Sequence, residues 1–327
     1  MVFADEKICS PKQIKTLGIF NLAAFVLVVA DAAPPTPLEM KLKSMYKEDG
    51  FEFIQKLIPY NDSVHHQTRA SFKHKYVGFG GSIRGSRGSG SWLDIEATTS
   101  VSEGAHQRAA TIASRMTMYM SSSIFSTLAR NAKVGVFTRA DTLTVFPEYS
   151  SLRDTTACRG SCSGSCAHTC TFDGRKYASL AGTGGAVGCV VDDNVLCDSN
   201  DPYRHQANML VHEFAHTVKL YGIPSSIKSQ ITAAYNHARS NRIWDLSAYA
   251  MSTEEEYWAE SSQVYFNVEK LTYTTGGMNT CGHSGFCTNE QDSRYYLYTK
   301  DVQLYNALTT VYTNNHPERH SNLATCM

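Results

Sequence analysis

Between Asn208 and Gly222 lies the run His212-Glu213-Phe214-Ala215-His216, two histidines three residues apart with a glutamate after the first. On a helix, side chains four positions apart project from the same face, one turn above the other. Two imidazoles so placed can bind one zinc ion, with Glu213 beside the metal's open position as a general base. The neighbours Leu210, Val211, Phe214, Ala215 and Val218 are apolar, which suits a buried helix, and Gly222 and Pro224 supply its stop.

A catalytic zinc needs a third protein ligand and keeps a fourth position for water. Downstream, Tyr249 precedes a stretch rich in glutamate, Glu254 to Glu260. Ser252 with Glu255 forms a capping-box pattern, so the spacing predicts a helix starting there. Glu256 and Glu260 then share one face. One of them can complete the metal site while the other orients a ligand histidine through its outer nitrogen.

The combination of H-E-F-A-H with a later Y-x6-E-x3-E resembles the gluzincin metallopeptidases of the anthrax lethal-factor type, which include the bacterial Pro-Pro endopeptidases. The resemblance is carried by residues 205–266. It implies that Glu256 is the third zinc ligand, that Glu260 supports a metal-bound histidine, and that Tyr249 contributes to the oxyanion site. It also implies a zincin-like fold. A metzincin would place a third histidine just beyond the motif, where Leu220, Tyr221 and Gly222 stand instead. The cysteine-rich segment has no counterpart in the resemblance, so substrate preferences do not carry over.

These residues need elements to hold them. Ala109, Ile112, Met116, Met120 and Ile124 recur at helical spacing, which predicts one helix over 103–130 packed on a sheet. Residues 134–138 and 142–146 read as strands, and Ala186 to Val191 as a further strand at the sheet edge, placed to align a substrate backbone by strand addition. Gly78 to Trp92 reads as a surface loop, with Arg84 or Arg87 as a processing point, because it lacks the lysine-serine ending of a phosphate-binding loop.

Ten cysteines are unusual for a cytosolic chain and suit an oxidising compartment. Cys158, Cys162, Cys166 and Cys170 are expected to form disulfides rather than a zinc cluster. Cys189 with Cys197 and Cys281 with Cys287 are close enough to close small loops. Outside Cys9 the count is odd, so one thiol should be free or bonded to another chain. At the N-terminus, Lys7, Lys12 and Lys15 precede the apolar run Leu17 to Ala30, which is too short to span a bilayer and suits a signal peptide over 1–32. Residues 33–64, with their proline-rich start, read as a linker or short propeptide, and 65–327 as one catalytic domain. Asn61-Asp62-Ser63 is a glycosylation sequon. His65, His66, His168, His205 and His283 are assigned to the surface rather than to metal.

Thirty basic residues balance thirty acidic ones, which gives no general field for nucleic acid or an anionic membrane. The expectation is therefore an α+β, zincin-like domain with a small mixed sheet. It would be secreted, bind one catalytic zinc through His212, His216 and Glu256, and hydrolyse peptide or protein substrates without nucleic acid or stable membrane insertion. The alternatives are a non-catalytic zinc-binding module and a cysteine-rich extracellular structural protein.

Overall fold

Seven residues of β1 (Phe72–Gly78) and seven of β3 (Trp92–Thr98) pair antiparallel, and the two-residue β2 (Ile83–Arg84) folds back onto β1. The computed structural model describes residues 71–171, 174–282 and 285–326. The expected signal peptide, linker and sequon, together with His65, His66 and His283, lie outside the described residues. β3 then runs parallel to β4 (Lys133–Phe137), β4 parallel to β6 (Val187–Val191), and β5 (Gly182–Thr183) closes the sheet antiparallel to β6. The six-stranded mixed sheet has the order β2-β1-β3-β4-β6-β5. The architecture is α+β, with β6 buried along its whole length, as a near-continuous Val-rich strand predicts.

Nine α-helices follow among the described residues. They are α1 (Glu103–Thr117), α2 (Ser122–Asn131), α3 (Asp192–Leu196), α4 (Met209–Thr217), α5 (Ser225–Asn241), α6 (Glu254–Tyr265), α7 (Thr272–Thr275), α8 (Glu290–Lys300) and α9 (Val302–Thr313). The core under the sheet comprises Leu93, Ile95 and Ala97 of β3 with Ala109, Ala113 and Met116 of α1. No helix among the described residues is long and apolar enough to cross a membrane.

Three local expectations are corrected. The helix expected over 103–130 is two helices, because Ser121 takes extended backbone and its hydroxyl accepts from Ile124 N. That cap starts α2 afresh rather than continuing the ladder. Residues 142–146 form a 3₁₀ turn at Leu143–Val145 rather than a strand. There the Asp141 carboxylate accepts from the hydroxyls of Thr98, Ser100 and Thr138 and draws the chain round at the end of β4. The third concerns β6, which is interior; the edge strand is β5. Gly78 to Trp92 is an exposed loop for most of its length, as expected, interrupted by the two-residue β2, and within it Arg84 lies over the Trp92 ring and Arg87 over Tyr76.

The cysteine run is stapled by Cys158–Cys166 and Cys162–Cys170, as expected, and Cys281–Cys287 forms too. Lys176 fills the centre of the stapled loop, donating to Asp154, Thr169 and the carbonyls of Cys158 and Ser161. The expected Cys189–Cys197 bridge does not form. Cys197 reaches Cys326 across a sequence separation of 129, while Cys189 points into the sheet interior as a free, buried thiol. Closing a loop that long removes chain entropy worth roughly 5 kcal/mol in the simple polymer estimate.

Candidate active site

α4 is anchored at both ends before it presents anything. Its N-cap Asn208 accepts from Val211 N, and Asn194 Oδ1 accepts from Met209 N at 2.9 Å. Beyond Thr217 the helix widens into a π turn, Val218–Gly222, and Trp258 of α6 donates to Ala215 O at 2.9 Å. Lys219, buried in that turn, pairs with Glu254 at 2.6 Å and Glu255 at 2.9 Å. The end of α4 is thereby tied to the start of α6.

α6 begins one residue later than the capping pattern suggests. Thr253, not Ser252, is the cap, and its hydroxyl accepts from Glu256 N at 3.1 Å. From that start, Glu256, Glu260 and Gln263 fall at helical spacing and meet α4. His212 Nδ1 lies 3.2 Å from Glu260 Oε1 and 3.2 Å from Gln263 Oε1. Its other nitrogen, Nε2, is 3.2 Å from His216 Nε2 and 3.2 Å from Glu256 Oε2, while His216 Nε2 is 3.5 Å from the same oxygen.

Those three separations describe a nearly equilateral triangle of ligand atoms. Zinc bonds of about 2.0–2.1 Å in a tetrahedron set ligand atoms about 3.3 Å apart, so the triangle fits such an ion. Glu256 Oε2 is buried and has no hydrogen bond of proper geometry, as a carboxylate oxygen waiting for a cation would be. Glu213 also brings a carboxylate oxygen within 4.8 Å of the ligating atoms of both imidazoles.

The electrostatics agree. Burial alone would raise Glu256, but the charges and hydrogen bonds of His216 and His212 outweigh it and hold the carboxyl well below the usual range. His212 behaves conversely: burial would lower it, and Glu256 with Glu260 raises it well above an ordinary imidazole. The donor set demands a positive charge at its centre, which a proton or a divalent ion can supply. Burial pushes Glu213 up, against the nearby histidines. Tyr249 is raised well above a free phenol, by burial first and then by the charge of Glu256, which lies within hydrogen-bonding reach. Its ring stacks on His212 with centroids 6.3 Å apart.

All six residues singled out from the sequence are thus brought together: His212, Glu213, His216, Tyr249, Glu256 and Glu260. His168 and His205 stay at the surface on backbone carbonyls. Sequence reasoning missed Gln263, although extending the Glu256–Glu260 spacing by one more turn reaches it. It also missed Glu269, whose carboxyl accepts from Leu271 N and is raised by burial and by the charge of Glu260. Arg175, five residues beyond the stapled loop, acts electrostatically on Glu213 and Tyr249.

Glycines set how closely the sheet edge lies on α4. A Cβ at Gly182 would sit 3.0 Å from Glu213 Oε1, and one at Gly184 would sit 2.2 Å from His216 Cβ. The backbone of β5 therefore passes directly over Glu213 and His216, and among the described residues its outer edge pairs with no further strand.

No protein-family model matches the chain, and no curated protein matches it. Among solved structures the chain is similar to a Pro-Pro endopeptidase from Paenibacillus alvei, at 16% identity and a TM-score of 0.40, covering 66% of this chain and 96% of that one. A likeness that distant assigns no residue a role, and the roles below rest on the geometry just described.

Proposed function

We propose that this chain is a secreted, zinc-dependent endopeptidase whose metal is held by His212, His216 and Glu256. The observation that carries the reading is the triangle of 3.2, 3.2 and 3.5 Å between their ligand atoms, closed by a buried carboxylate oxygen without a hydrogen-bond partner. When bound there, zinc supplies Lewis acidity that activates water at neutral pH and polarises a carbonyl.

The chain's own residues do the rest. Glu213 takes the proton from the attacking water and passes it to the leaving amine; burial raises its carboxyl above the ordinary range, the direction that favours holding a proton in transit. Tyr249 keeps its phenolic proton and donates it as a hydrogen bond to the oxygen on which negative charge develops. Glu260 and Gln263 fix the orientation of the His212 ring through Nδ1. The outer edge of β5 offers backbone donors and acceptors to an extended peptide, which would lay its scissile bond beside Glu213. Four disulfides support export to an oxidising compartment.

The test is zinc content and peptide-library hydrolysis, with wild type and Glu213→Gln in parallel. Both should hold zinc at His212, while turnover in the variant falls by about 10²–10⁴-fold through loss of the base. A variant that cuts as fast as wild type would remove Glu213 from the mechanism. Zinc without cutting in either protein would favour a non-catalytic binding module, and a folded wild type without zinc would end the metal reading.

A further inference from the structure

Away from the His212 centre, β1 and β3 bring a second set of ligating side chains to one place. His74 on β1 and Glu96 on β3 are direct cross-strand partners, so both leave the same face of the sheet. Asp94, two residues before Glu96, shares that face. His74 Nδ1 is 2.9 Å from Asp94 Oδ1, and an oxygen of Glu96 lies within 4.8 Å of the ligating atoms of both. Asp94 and Glu96 are buried, whereas His74 is exposed and leaves a path from solvent.

Glu96 is the telling residue. Only 3% of it is exposed, yet it packs a carboxylate against the sheet. Its Oε2 is 3.3 Å from Lys133 Nζ, and that ammonium also serves Glu148 at 2.7 Å. Its Oε1 is buried with no hydrogen-bond partner. Arg87 approaches Asp94 Oδ2 only to 3.9 Å, from an exposed side chain that can move aside. Three carboxylates therefore converge on one ammonium and one distant guanidinium, and one buried oxygen is left over.

We propose that His74, Asp94 and Glu96 form a second divalent-metal site, structural in role, that takes a transition ion such as zinc or manganese. One imidazole nitrogen beside two carboxylate oxygens favours these ions over calcium or magnesium, which prefer all-oxygen sets. The ligating atoms are more loosely gathered than those around His212, so the ion would draw the three side chains together. Its effect is to clamp β1 onto β3 at the His74–Glu96 register. The site shares no residue with the proposed catalytic centre and stands or falls separately.

The experiment is equilibrium dialysis of the full chain against zinc chloride and, separately, manganese chloride, with bound metal counted by mass spectrometry. Wild type should bind two equivalents of zinc. His212→Ala/His216→Ala should keep one of them, and Glu96→Gln should keep the other. In the His212→Ala/His216→Ala protein, zinc should raise the melting temperature, and adding His74→Ala should abolish that rise and weaken zinc binding at least about tenfold. Circular dichroism establishes that each variant is folded; Glu96→Gln preserves shape and His74 is exposed, so neither removes core packing. A wild type that binds one equivalent, lost in His212→Ala/His216→Ala, overturns the second site and leaves the peptidase reading intact. Persistence of the second equivalent in both Glu96→Gln and His74→Ala overturns it as well.

Discussion

Tyr249 and Glu213 differ in what their removal would cost. In the proposed mechanism Glu213 moves a proton, whereas Tyr249 only offers one to a developing charge. Tyr249→Phe is expected to lower kcat by about 10²–10³-fold, with KM and zinc content unchanged, as measured by steady-state kinetics beside metal analysis. An equal loss in zinc content would mean that the phenol serves Glu256 rather than the substrate. At this scale the site was largely readable in advance. His212, Glu213 and His216 fall within five residues, so helix geometry alone aligns them. Glu256 and Glu260 repeat that local logic one helix later, though only the family resemblance says which of the two touches metal. Glu269 and Arg175 carry no such local signature. Glu269 is brought in beside the Ala207–Glu269 backbone bridge and Arg175 by the segment after the stapled loop, both distant in sequence from the motif.

Among the elements, the Gly182–Gly184 backbone lies on α4 with no room for a side chain between them. Gly184→Ala forces a Cβ to within 2.2 Å of His216 Cβ and 2.8 Å of Glu213 O, so either the strand lifts or the helix shifts. The expected outcome is a loss of about 1–3 kcal/mol in stability with weakened zinc binding, read from denaturant melts and dialysis. Unchanged melting and zinc affinity would show that the strand can lift freely. At the other end of β6, Asp192 opens α3 with a pKa pushed up to about 6 by burial and by Asp193. Its neutral form is the one the fold prefers. The stability it contributes is therefore full below its unfolded value near 3.8 and is lost as pH rises through about 6, on the order of 1–2 kcal/mol after screening by solvent. Asp192→Asn should flatten the stability profile between those limits in urea titrations at stepped pH; an unchanged slope would assign it elsewhere. Periodicity made the helix starting at 103 and the β4 and β6 strands legible, but not the break at Ser121 or the absence of a strand over 142–146. The Ser121 and Thr253 caps each set a helix start through one side-chain hydrogen bond, and three hydroxyls on Asp141 make the turn after β4, none of which spacing reveals.

For the molecule as a whole, the order of the strands and the pairing of the cysteines were the least visible features, because both are long-range. An apolar run such as Val187–Val191 reads alike at an edge or in a sheet interior, and proximity in sequence suggested Cys189 for Cys197 when Cys326 was the partner. That pairing has a consequence for how the chain matures. Cys158–Cys166, Cys162–Cys170 and Cys281–Cys287 close locally and can form early, but Cys197 must wait for a partner 129 positions further along the chain. During that interval Cys189 is the nearer thiol in sequence and the natural wrong partner. Sheet formation withdraws it, since in β6 it is fully covered and burial raises its thiol well above the ordinary range. The expected consequence is that sheet assembly limits mispairing of Cys197. In a refolding time course with pulsed alkylation, protection of Cys189 should precede closure of Cys197–Cys326, and chains in which that order is reversed should accumulate as misbridged, inactive species.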